Sequence, residues 1–316
     1  MIVADNGSTD ISIELLRSDF PQVRIIQIDR NYGYAGGYNR ALSQVQSEYY
    51  ALVNSDVQTT DKWLDLIIHE MDQAPEIVAA QPKIKDVNKK DHFEYAGASG
   101  GFLDKNGYPF CRGRLFDTCE RDIGQHNDVR EVFWASGACL VIRSENFHQA
   151  EGFDETLFAH MEEIDLCWRL KNAGHRIYCY PASVVYHLGG GTLAVQNPRK
   201  TFLNFRNNLL ILIKNDYRKN TFRRMVKRLI LDGIAAFVMG FQSGPSHFFA
   251  VMRAHYHFYS HLPSYLKKRN YWREKAVKLN RTGLFRYSIV KAYFLEKKRV
   301  FGALESRYFV RQDRKR

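Results

Sequence analysis

The sequence has few cysteines, and they follow no metal-binding or disulfide pattern. There are five, an odd number, with no Cys-x-x-Cys pair among them. We therefore predict reduced thiols in a cytoplasmic protein, and we exclude a small disulfide scaffold and a cysteine-based zinc site. A chain of 316 residues with 45% hydrophobic content can bury a core without such cross-links.

The sequence also lacks an apolar run that could cross a bilayer. Its longest stretch without a charged residue, 233–252, is interrupted at the centre by residues 242–247, which include Gly244 and Pro245. Each apolar half is shorter than the roughly 20 residues that a spanning helix needs. We predict no spanning helix in this stretch.

Acidic residues are scarce in the last third of the chain. Residues 199–316 hold 28 Lys and Arg against 6 Asp and Glu, whereas residues 1–198 hold 18 against 28, so the net charges are +22 and −10. A basic tail on an acidic body predicts attraction to a polyanion, either an anionic membrane surface or nucleic acid. The tail contains no recognised nucleic-acid module, and the acidic body would repel phosphate, so we favour the membrane and expect no nucleic-acid partner.

Short apolar runs alternate with amphipathic stretches through the first half of the chain, which predicts a parallel sheet wound with helices. Residues 93–130 are instead aromatic and rich in glycine, and we predict an inserted loop or small antiparallel element beside a cleft. Beyond about Pro198 the sequence is helical and basic, without strand-like alternation. We therefore predict an α/β domain over 1–200 and a basic helical, membrane-associating region over 201–316.

Two early segments are candidates for ligand contact. Asp5 and Asn6 end the first predicted strand, and ligands bind at the carboxyl ends of strands in open α/β sheets. The alternative is that they shape an Asx turn. The segment 31–39 then packs three glycines ahead of a helix, where backbone can approach a ligand closely. Its spacing does not fit the dinucleotide pattern G-x-G-x-x-G.

Carboxylates and a histidine follow later in the chain. Asp56 ends one predicted strand within Asn54-Ser55-Asp56, and His187 ends a late one. Glu162, Glu163 and Asp165 open a predicted helix, where the helix dipole favours acids. Capping is the simpler explanation for one of these three, Asp165 first, and an isolated histidine at a strand end is more often structural.

Together these segments resemble the inverting glycosyltransferases of family 2, and within it the rhamnosyltransferase-like branch that builds bacterial surface polysaccharides. The resemblance covers about residues 1–205. It implies a GT-A-type fold, a Rossmann-like mixed sheet flanked by helices. It also implies transfer of a sugar from a nucleoside diphosphate sugar, either dTDP-rhamnose or a UDP-sugar, to a saccharide or polyprenyl-linked acceptor at the cytoplasmic face of the membrane. The implied cofactor is Mg²⁺ or Mn²⁺.

The resemblance also implies residue roles. In the family, Glu-Asp usually stands where this chain has Glu162-Glu163, and by that matching Glu163 is the general base and Glu162 binds acceptor hydroxyls, although the two roles could be exchanged. The implied metal ligands are Asp56 and His187. The implied donor-binding residues are Asp5, Asn6, Asn31, Gly33, Gly37, Asn39, Asn54 and Asp56, and the implied acceptor side is Trp134, Gly137 and Asp165.

Members of this family normally carry one more strand before the Asp-Asn-Gly-Ser segment, whereas Met1 lies four residues ahead of Asp5. We therefore expect an N-terminally truncated sheet. Two other functions are compatible with parts of the sequence. A nucleotidyltransferase would need a basic, glycine-rich loop near the first strand, and none is present. A non-enzymatic protein that binds polyanions would use the basic tail alone.

Overall fold

The computed structural model describes residues 1–189 and 197–311. The predicted basic tail therefore has its last five residues, 312–316, outside the described residues. The strands are β1 (Ile2–Asp5), β2 (Arg24–Gln27), β3 (Tyr49–Val53), β4 (Val57–Thr59), β5 (Ile77–Asp86), β6 (Gly101–Asp104), β7 (Pro109–Cys111), β8 (Arg114–Leu115), β9 (Thr118–Cys119), β10 (Arg130–Glu131), β11 (Cys139–Arg143), β12 (Arg176–His187) and β13 (Leu284–Phe285). The α-helices are α1 (Ser12–Asp19), α2 (Gly33–Leu42), α3 (Trp63–Gln73), α4 (Ser144–Gln149), α5 (Glu162–Asn172), α6 (Pro198–Asn215), α7 (Thr221–Ser243) and α8 (Pro245–Glu274).

The main sheet is mixed and six-stranded, with the order β10-β12-β5-β11-β3 and with β4 paired to β12. The first eight residues of β5 are all buried, as expected of a strand covered on both faces. On one face Ile67 and Met71 of α3 pack against Ile77 and Ala80. This architecture confirms the predicted mixed α/β fold flanked by helices. The parallel sheet predicted from the alternating apolar runs is wrong, because β5 and β12 are the only parallel neighbours in the described main sheet.

Strands β1 and β2 form a separate two-stranded parallel sheet. Within the described residues, β1 and β3 are each at the edge of their own sheet. The helix α2 begins at Gly33, so the glycine segment forms the first helical turns rather than a loop ahead of them. The expectation of an N-terminally truncated sheet stays a prediction.

The insertion is a small antiparallel element, as predicted, and the end of the chain completes it. Strands β6 to β9 are antiparallel neighbours, and β13 pairs with β6 in parallel. The region predicted to be helical forms α6, α7 and α8, whereas residues 284–310 form β13, a short π-helix (Lys291–Leu295) and two 3-10 turns (Phe301–Ala303 and Ser306–Tyr308). The reason is aromatic packing: the rings of Phe285, Phe301 and Phe309 cover Phe102 and Phe110.

This aromatic cluster gives a stability prediction. Phe285 is 1% exposed, and its ring centroid lies 4.7 Å from that of Phe309. We expect Phe285→Ala to lower the free energy of unfolding by about 3–5 kcal/mol, since it leaves a cavity in a close-packed core. Chemical denaturation measures this. The control Phe222→Ala removes a ring that is 80% exposed and should change little; equal losses in both variants would contradict the packing shown here.

Helices α6, α7 and α8 lie against the α/β body. The side chain of Asn197 caps α6 by accepting a hydrogen bond from Arg199 N at 2.8 Å, and Pro198 occupies the first turn. Helix α8 runs back along α7, since the rings of Phe237 and Phe248 are 5.1 Å apart and Asp232 lies 3.9 Å from His255. Within the described ranges, no helix is long and apolar enough to cross a membrane.

Candidate functional site

Strand pairing brings the two predicted metal ligands together. Strand β4 is antiparallel to β12 in a register that places Val57 opposite His187. Asp56, one residue before Val57, therefore lies beside the histidine: its Oδ1 is 3.1 Å from His187 Nε2. The backbone N–H of Leu188 donates to Asp56 O at 3.1 Å, which fixes the same corner. Asp56 remains partly exposed while His187 is buried.

A third residue, Glu94, holds the other side of the imidazole. Its Oε2 lies 3.2 Å from His187 Nδ1, and both side chains are buried. Burial lowers the pKa of His187, but the carboxylates of Glu94 and Asp56 outweigh that effect and raise the pKa above its ordinary value. Sequence reasoning missed Glu94 because it lies in the insertion and belongs to no motif.

The arrangement fits a hard divalent cation with few protein ligands. The described part of the chain holds no group of three or more His, Cys, Asp or Glu side chains that converge on a metal. Mg²⁺ is, however, often held by one or two protein oxygens together with phosphate and water. Adjacent ligands of an octahedral ion with bonds of about 2.1 Å lie about 3.0 Å apart, close to the observed 3.1 Å. A carboxylate behind a histidine ligand, as Glu94 is, orients the ring.

The predicted general base is at the start of α5. Glu162 is 4% exposed, and one carboxylate oxygen of Glu162 and one of Glu163 are buried without a hydrogen-bond partner in the described structure. Burial raises the pKa of Glu163 to about 7, and burial together with the neighbouring Glu163 raises the pKa of Glu162. A carboxylate that titrates near neutral pH and has a free oxygen can accept a proton from a substrate hydroxyl.

The loop 158–161, which presents these glutamates and which we call the base loop, is strained. Phe158, His160 and Met161 have φ of 65°, 66° and 73°, in the left-handed region that side chains other than glycine seldom adopt. Such strain persists where the surroundings hold it, and it concentrates at functional sites. Here α6 holds it. Asn207 Nδ2 lies 2.9 Å from Leu157 O, 2.9 Å from Ala159 O and 2.7 Å from His160 O.

We predict that Asn207 positions the base. Asn207→Ala leaves three loop carbonyls without this donor, so the loop can relax and Glu163 can shift from its place. We expect the turnover number to fall about tenfold or more, the scale of one lost buried hydrogen bond, while the KM for the donor changes little. Steady-state kinetics and the pH dependence of turnover measure this.

Asn208→Ala is the matched control. This amide is also buried on α6, but it donates to Gly107 O at 3.1 Å and contacts the loop only at the Met161 sulfur, 3.9 Å away. If both variants lose stability but only Asn207→Ala lowers turnover and shifts its pH dependence, Asn207 has a positioning role. Equal turnover losses would mean that the amide acts only through general stability.

We call the corner formed by Asp56 and His187 the cation corner. The segment 135–138 lies between this corner and the glutamate pair Glu162 and Glu163. Asn54 N donates to Ala138 O at 3.0 Å on one side. On the other, Tyr34 OH donates to Gly137 O at 2.7 Å, and a side chain added at Gly137 would come 3.6 Å from Glu163 Cβ. The predicted residue Gly137 is therefore next to Glu163. Tyr34, from α2, is a site residue that the sequence analysis did not single out.

The predicted donor residues largely bond to one another. Asp5 Oδ1 accepts the N–H of Ser8 at 3.1 Å, so the Asx-turn interpretation applies to this oxygen. Asn6 Nδ2 donates to Gly33 O at 2.9 Å, and Asn31 Oδ1 accepts the N–H of Gly33 at 2.8 Å. A side chain at Gly37 would meet Asn6 at 2.8 Å. These residues tie the end of β1 to the start of α2, and their ligand contacts stay predictions.

Three predicted site residues have their polar groups hydrogen-bonded within the fold. Asn39 Nδ2 donates to Phe153 O, and Asn39 Oδ1 accepts the N–H of Phe153, at 2.9 Å each. Trp134 is 3% exposed, and its ring covers Gly101 while Nε1 donates to Phe102 O. Asp165 is fully buried, where it is bonded by Arg169, Lys214 and Asn215. These hydrogen bonds stabilise the fold, and the expectations that Asn39 contacts the donor and that Trp134 and Asp165 contact the acceptor stay predictions.

Lys200, in the first turn of α6, has its Nζ 5.9 Å from the ring centroid of Tyr95, the residue after Glu94. Burial lowers its pKa, and the charge of Glu94 partly opposes this. Burial, together with the nearby charge of Lys200, lowers the pKa of His160 to about 4. Lys200 therefore lies close to both Glu94 at the cation corner and His160 in the base loop. No motif in the sequence distinguished it from the other basic residues of the tail.

Comparison with known proteins gives a consistent result. The sequence pattern of the family described as Glycosyl transferase family 2 matches residues 1–147. An N-acetylglucosaminyl-diphospho-decaprenol L-rhamnosyltransferase of Mycobacterium tuberculosis is 30% identical over 211 residues, which cover 61% of this chain and 67% of the relative. The rhamnosyltransferase WbbL of Escherichia coli is 31% identical over 103 residues, 32% of this chain and 33% of that protein.

Among solved structures, GalNAc-T7, crystallised with UDP, GalNAc and Mn²⁺, aligns with a TM-score of 0.53 and 12% sequence identity. The alignment covers 74% of this chain and 44% of that one. At this identity the likeness concerns the fold alone. It places the mixed sheet and its flanking helices among GT-A architectures.

Proposed function

This chain belongs to glycosyltransferase family 2, and from that membership we propose an inverting, metal-assisted transfer of a sugar from a nucleoside diphosphate sugar to a glycan acceptor. The observation that carries the proposal is the pairing of two groups across the segment 135–138. On one side Asp56 and His187 offer cation ligands 3.1 Å apart. On the other, Glu163 has a pKa of about 7 and a buried oxygen without a hydrogen-bond partner in the described structure.

In this mechanism Glu163 removes the proton from an acceptor hydroxyl as that oxygen attacks the anomeric carbon. The raised pKa matches the task, because a base works best when its pKa is near the operating pH. Glu162, which is more deeply buried, accepts a hydrogen bond from a neighbouring acceptor hydroxyl. Attack from the side opposite the leaving group inverts the anomeric configuration.

The leaving group is a nucleoside diphosphate, and its negative charge must be stabilised as the bond to the sugar breaks. A cation held by Asp56 and His187 supplies positive charge to these phosphates when it is bound. Lys200 adds a second positive charge close to this corner and to the base loop. Asp5, at the carboxyl end of β1, accepts a hydrogen bond from the base of the nucleotide.

The acceptor and the location of the enzyme follow from its relatives and its charge. The mycobacterial relative is named for an acceptor that is a sugar on decaprenyl diphosphate. We propose an acceptor of this class, a saccharide on a polyprenyl diphosphate, reached at the cytoplasmic face of the membrane by a peripheral enzyme. Both relatives are named as rhamnosyltransferases, which supports dTDP-rhamnose over a UDP-sugar as the proposed donor.

The test is a transfer assay with dTDP-rhamnose and UDP-sugars and with a short-chain polyprenyl-diphosphate saccharide as acceptor, with Mn²⁺ or Mg²⁺ present. Mass spectrometry identifies the product, and proton NMR assigns the anomeric configuration. We expect one donor to be strongly preferred and the product to have the opposite anomeric configuration. Retention of configuration would overturn the inverting mechanism, and nucleotide transfer to a sugar phosphate would favour the nucleotidyltransferase alternative.

A further inference from the structure

The turn between α7 and α8 exposes an apolar surface. We call residues 230–252 the hairpin tip. Its most exposed large side chains are Phe241, Phe249 and Phe237, which are 89%, 66% and 60% exposed, and they continue an exposed stripe on α7 formed by Ile230, Ile234 and Val238. The tip contains one charged residue, Asp232, which is fully buried and hydrogen-bonded to Arg228 and Tyr108.

A collar of basic side chains borders this apolar surface. Arg223 and Lys227 are exposed on α7, seven and three residues before the tip, and neither has an ion pair within the described ranges. Arg253 follows the tip and is also exposed, stacked over Phe202 at 5.0 Å. Other tail cations are used differently: Lys214 and Lys268 pair with Asp154 at 2.8 and 2.6 Å. Only part of the basic tail is therefore neutralised by the acidic body.

The hairpin tip is at the end of the helices that is nearest to the candidate site. Thr201, in the first turns of α6, is hydrogen-bonded to His247 of the tip at 2.9 Å. Arg199, two residues earlier, stacks over Phe158 of the strained base loop at 5.2 Å. The turn that carries the exposed phenylalanines and the loop that presents Glu163 thus both contact the N-terminal end of α6.

We propose that the hairpin tip inserts into the interface of an anionic lipid bilayer, with Arg223, Lys227 and Arg253 on the lipid phosphates. Exposed aromatic and aliphatic side chains bordered by cations are the features by which a helical element binds such an interface. Insertion would bring the base loop close to the bilayer surface. Insertion itself does not depend on the proposed function. Only its benefit rests on that function, because a polyprenyl-linked acceptor lies at the bilayer surface.

Charge favours lipid over a second copy of the chain. In a symmetric dimer the same patch occurs on both partners, so the tip of one copy would bring its basic collar against the collar of the other. Like charges at close range oppose that contact. An anionic surface complements the collar and the apolar tip at once.

The test is sedimentation of the full chain with vesicles of phosphatidylcholine alone and with phosphatidylglycerol added. We expect binding to the anionic vesicles, and we expect it to weaken at high salt. In the double variant F237E/F241E the affinity should fall at least about tenfold, because two rings that would insert into the bilayer are replaced by charges. The control is Ile123→Glu, which places a charge at an apolar side chain that is 78% exposed in the insertion, outside α7 and α8, and should bind nearly as the parent does. Arg223→Glu with Lys227→Glu should remove the preference for anionic lipid.

Three results would overturn the inference. They are a parent chain that ignores anionic vesicles, a tip variant that binds as well as the parent, and a dimer in light scattering that the tip variant converts to monomer. Transfer to a water-soluble acceptor analogue separates this inference from the proposed function. The tip variant should keep that transfer, whereas a chain that binds vesicles but transfers nothing would contradict the proposed function alone.

Discussion

Glu163→Gln is expected to reduce the turnover number by at least about a hundredfold while the affinity for the donor stays nearly constant, because Gln keeps the shape of the side chain but cannot accept the acceptor proton. In the parent, turnover should fall about tenfold per pH unit below pH 7 and level off above it, since only the ionised carboxylate acts and the pKa of Glu163 is about 7. The variant should lack this acid limb. Turnover as a function of pH, with donor binding by calorimetry, measures both effects.

The same substitution should stabilise the fold at pH 8. The pKa of Glu163 is about 7 in the folded chain against an ordinary 4.5, so the folded state binds more protons between these values and loses stability as pH rises through them. Gln removes that loss, and thermal melting at pH 5 and pH 8 should show a gain that grows with pH. A function-neutral replacement would show neither the kinetic loss nor this gain.

Glu162→Gln is the matched control for the assignment. Glu162 is a glutamate like Glu163 and precedes it directly, but in the proposed mechanism Glu162 only binds the acceptor. We expect a raised acceptor KM and a smaller loss in turnover. If Glu162→Gln is inactive and Glu163→Gln remains active, the two roles are exchanged.

Asp56→Ala is expected to lower the rate of transfer by about a hundredfold or more. It removes the only carboxylate in direct contact with His187 Nε2 in the described structure. Removal of divalent metal with EDTA should have the same effect, and Mn²⁺ or Mg²⁺ should restore the parent but not the variant. Binding of Mn²⁺ in the presence of a nucleoside diphosphate, followed by electron paramagnetic resonance, gives a readout that does not depend on activity.

Asp65→Ala is the control for this variant, since Asp65 is an exposed carboxylate on α3, outside the site. It should bind Mn²⁺ and transfer sugar as the parent does. Full activity of the parent in EDTA, or undiminished Mn²⁺ binding by Asp56→Ala, would refute the cation site. The second outcome would leave the base assignment intact, because Glu163 lies across the segment 135–138.

Local sequence patterns predicted most of the fold and the chemistry of the site. Apolar runs ending in Asp5, Asn54-Ser55-Asp56 and His187 predicted strands whose ends carry polar side chains, and the acids of 162–165 predicted a helix start. These features depend on residues close together in sequence: alternation for strands, and the dipole for acids at a helix N-terminus. For this reason the sequence alone could determine the α/β class and could place the candidate site residues at strand ends and a helix start.

Only the tertiary structure decided which of these residues are paired within the fold and which keep an unpaired polar atom. Asp165 and Glu163 are neighbours in one acidic run, yet Asp165 is bonded by Lys214 and Asn215, whereas Glu163 keeps an oxygen without a partner in the described structure. Glu94 behind His187 and Asn207 under the base loop come from segments with no motif. The return of residues 284–310 to the insertion was likewise unpredicted. In each case the deciding contact joins residues far apart in the chain, and burial and pairing follow from packing, which local pattern does not encode.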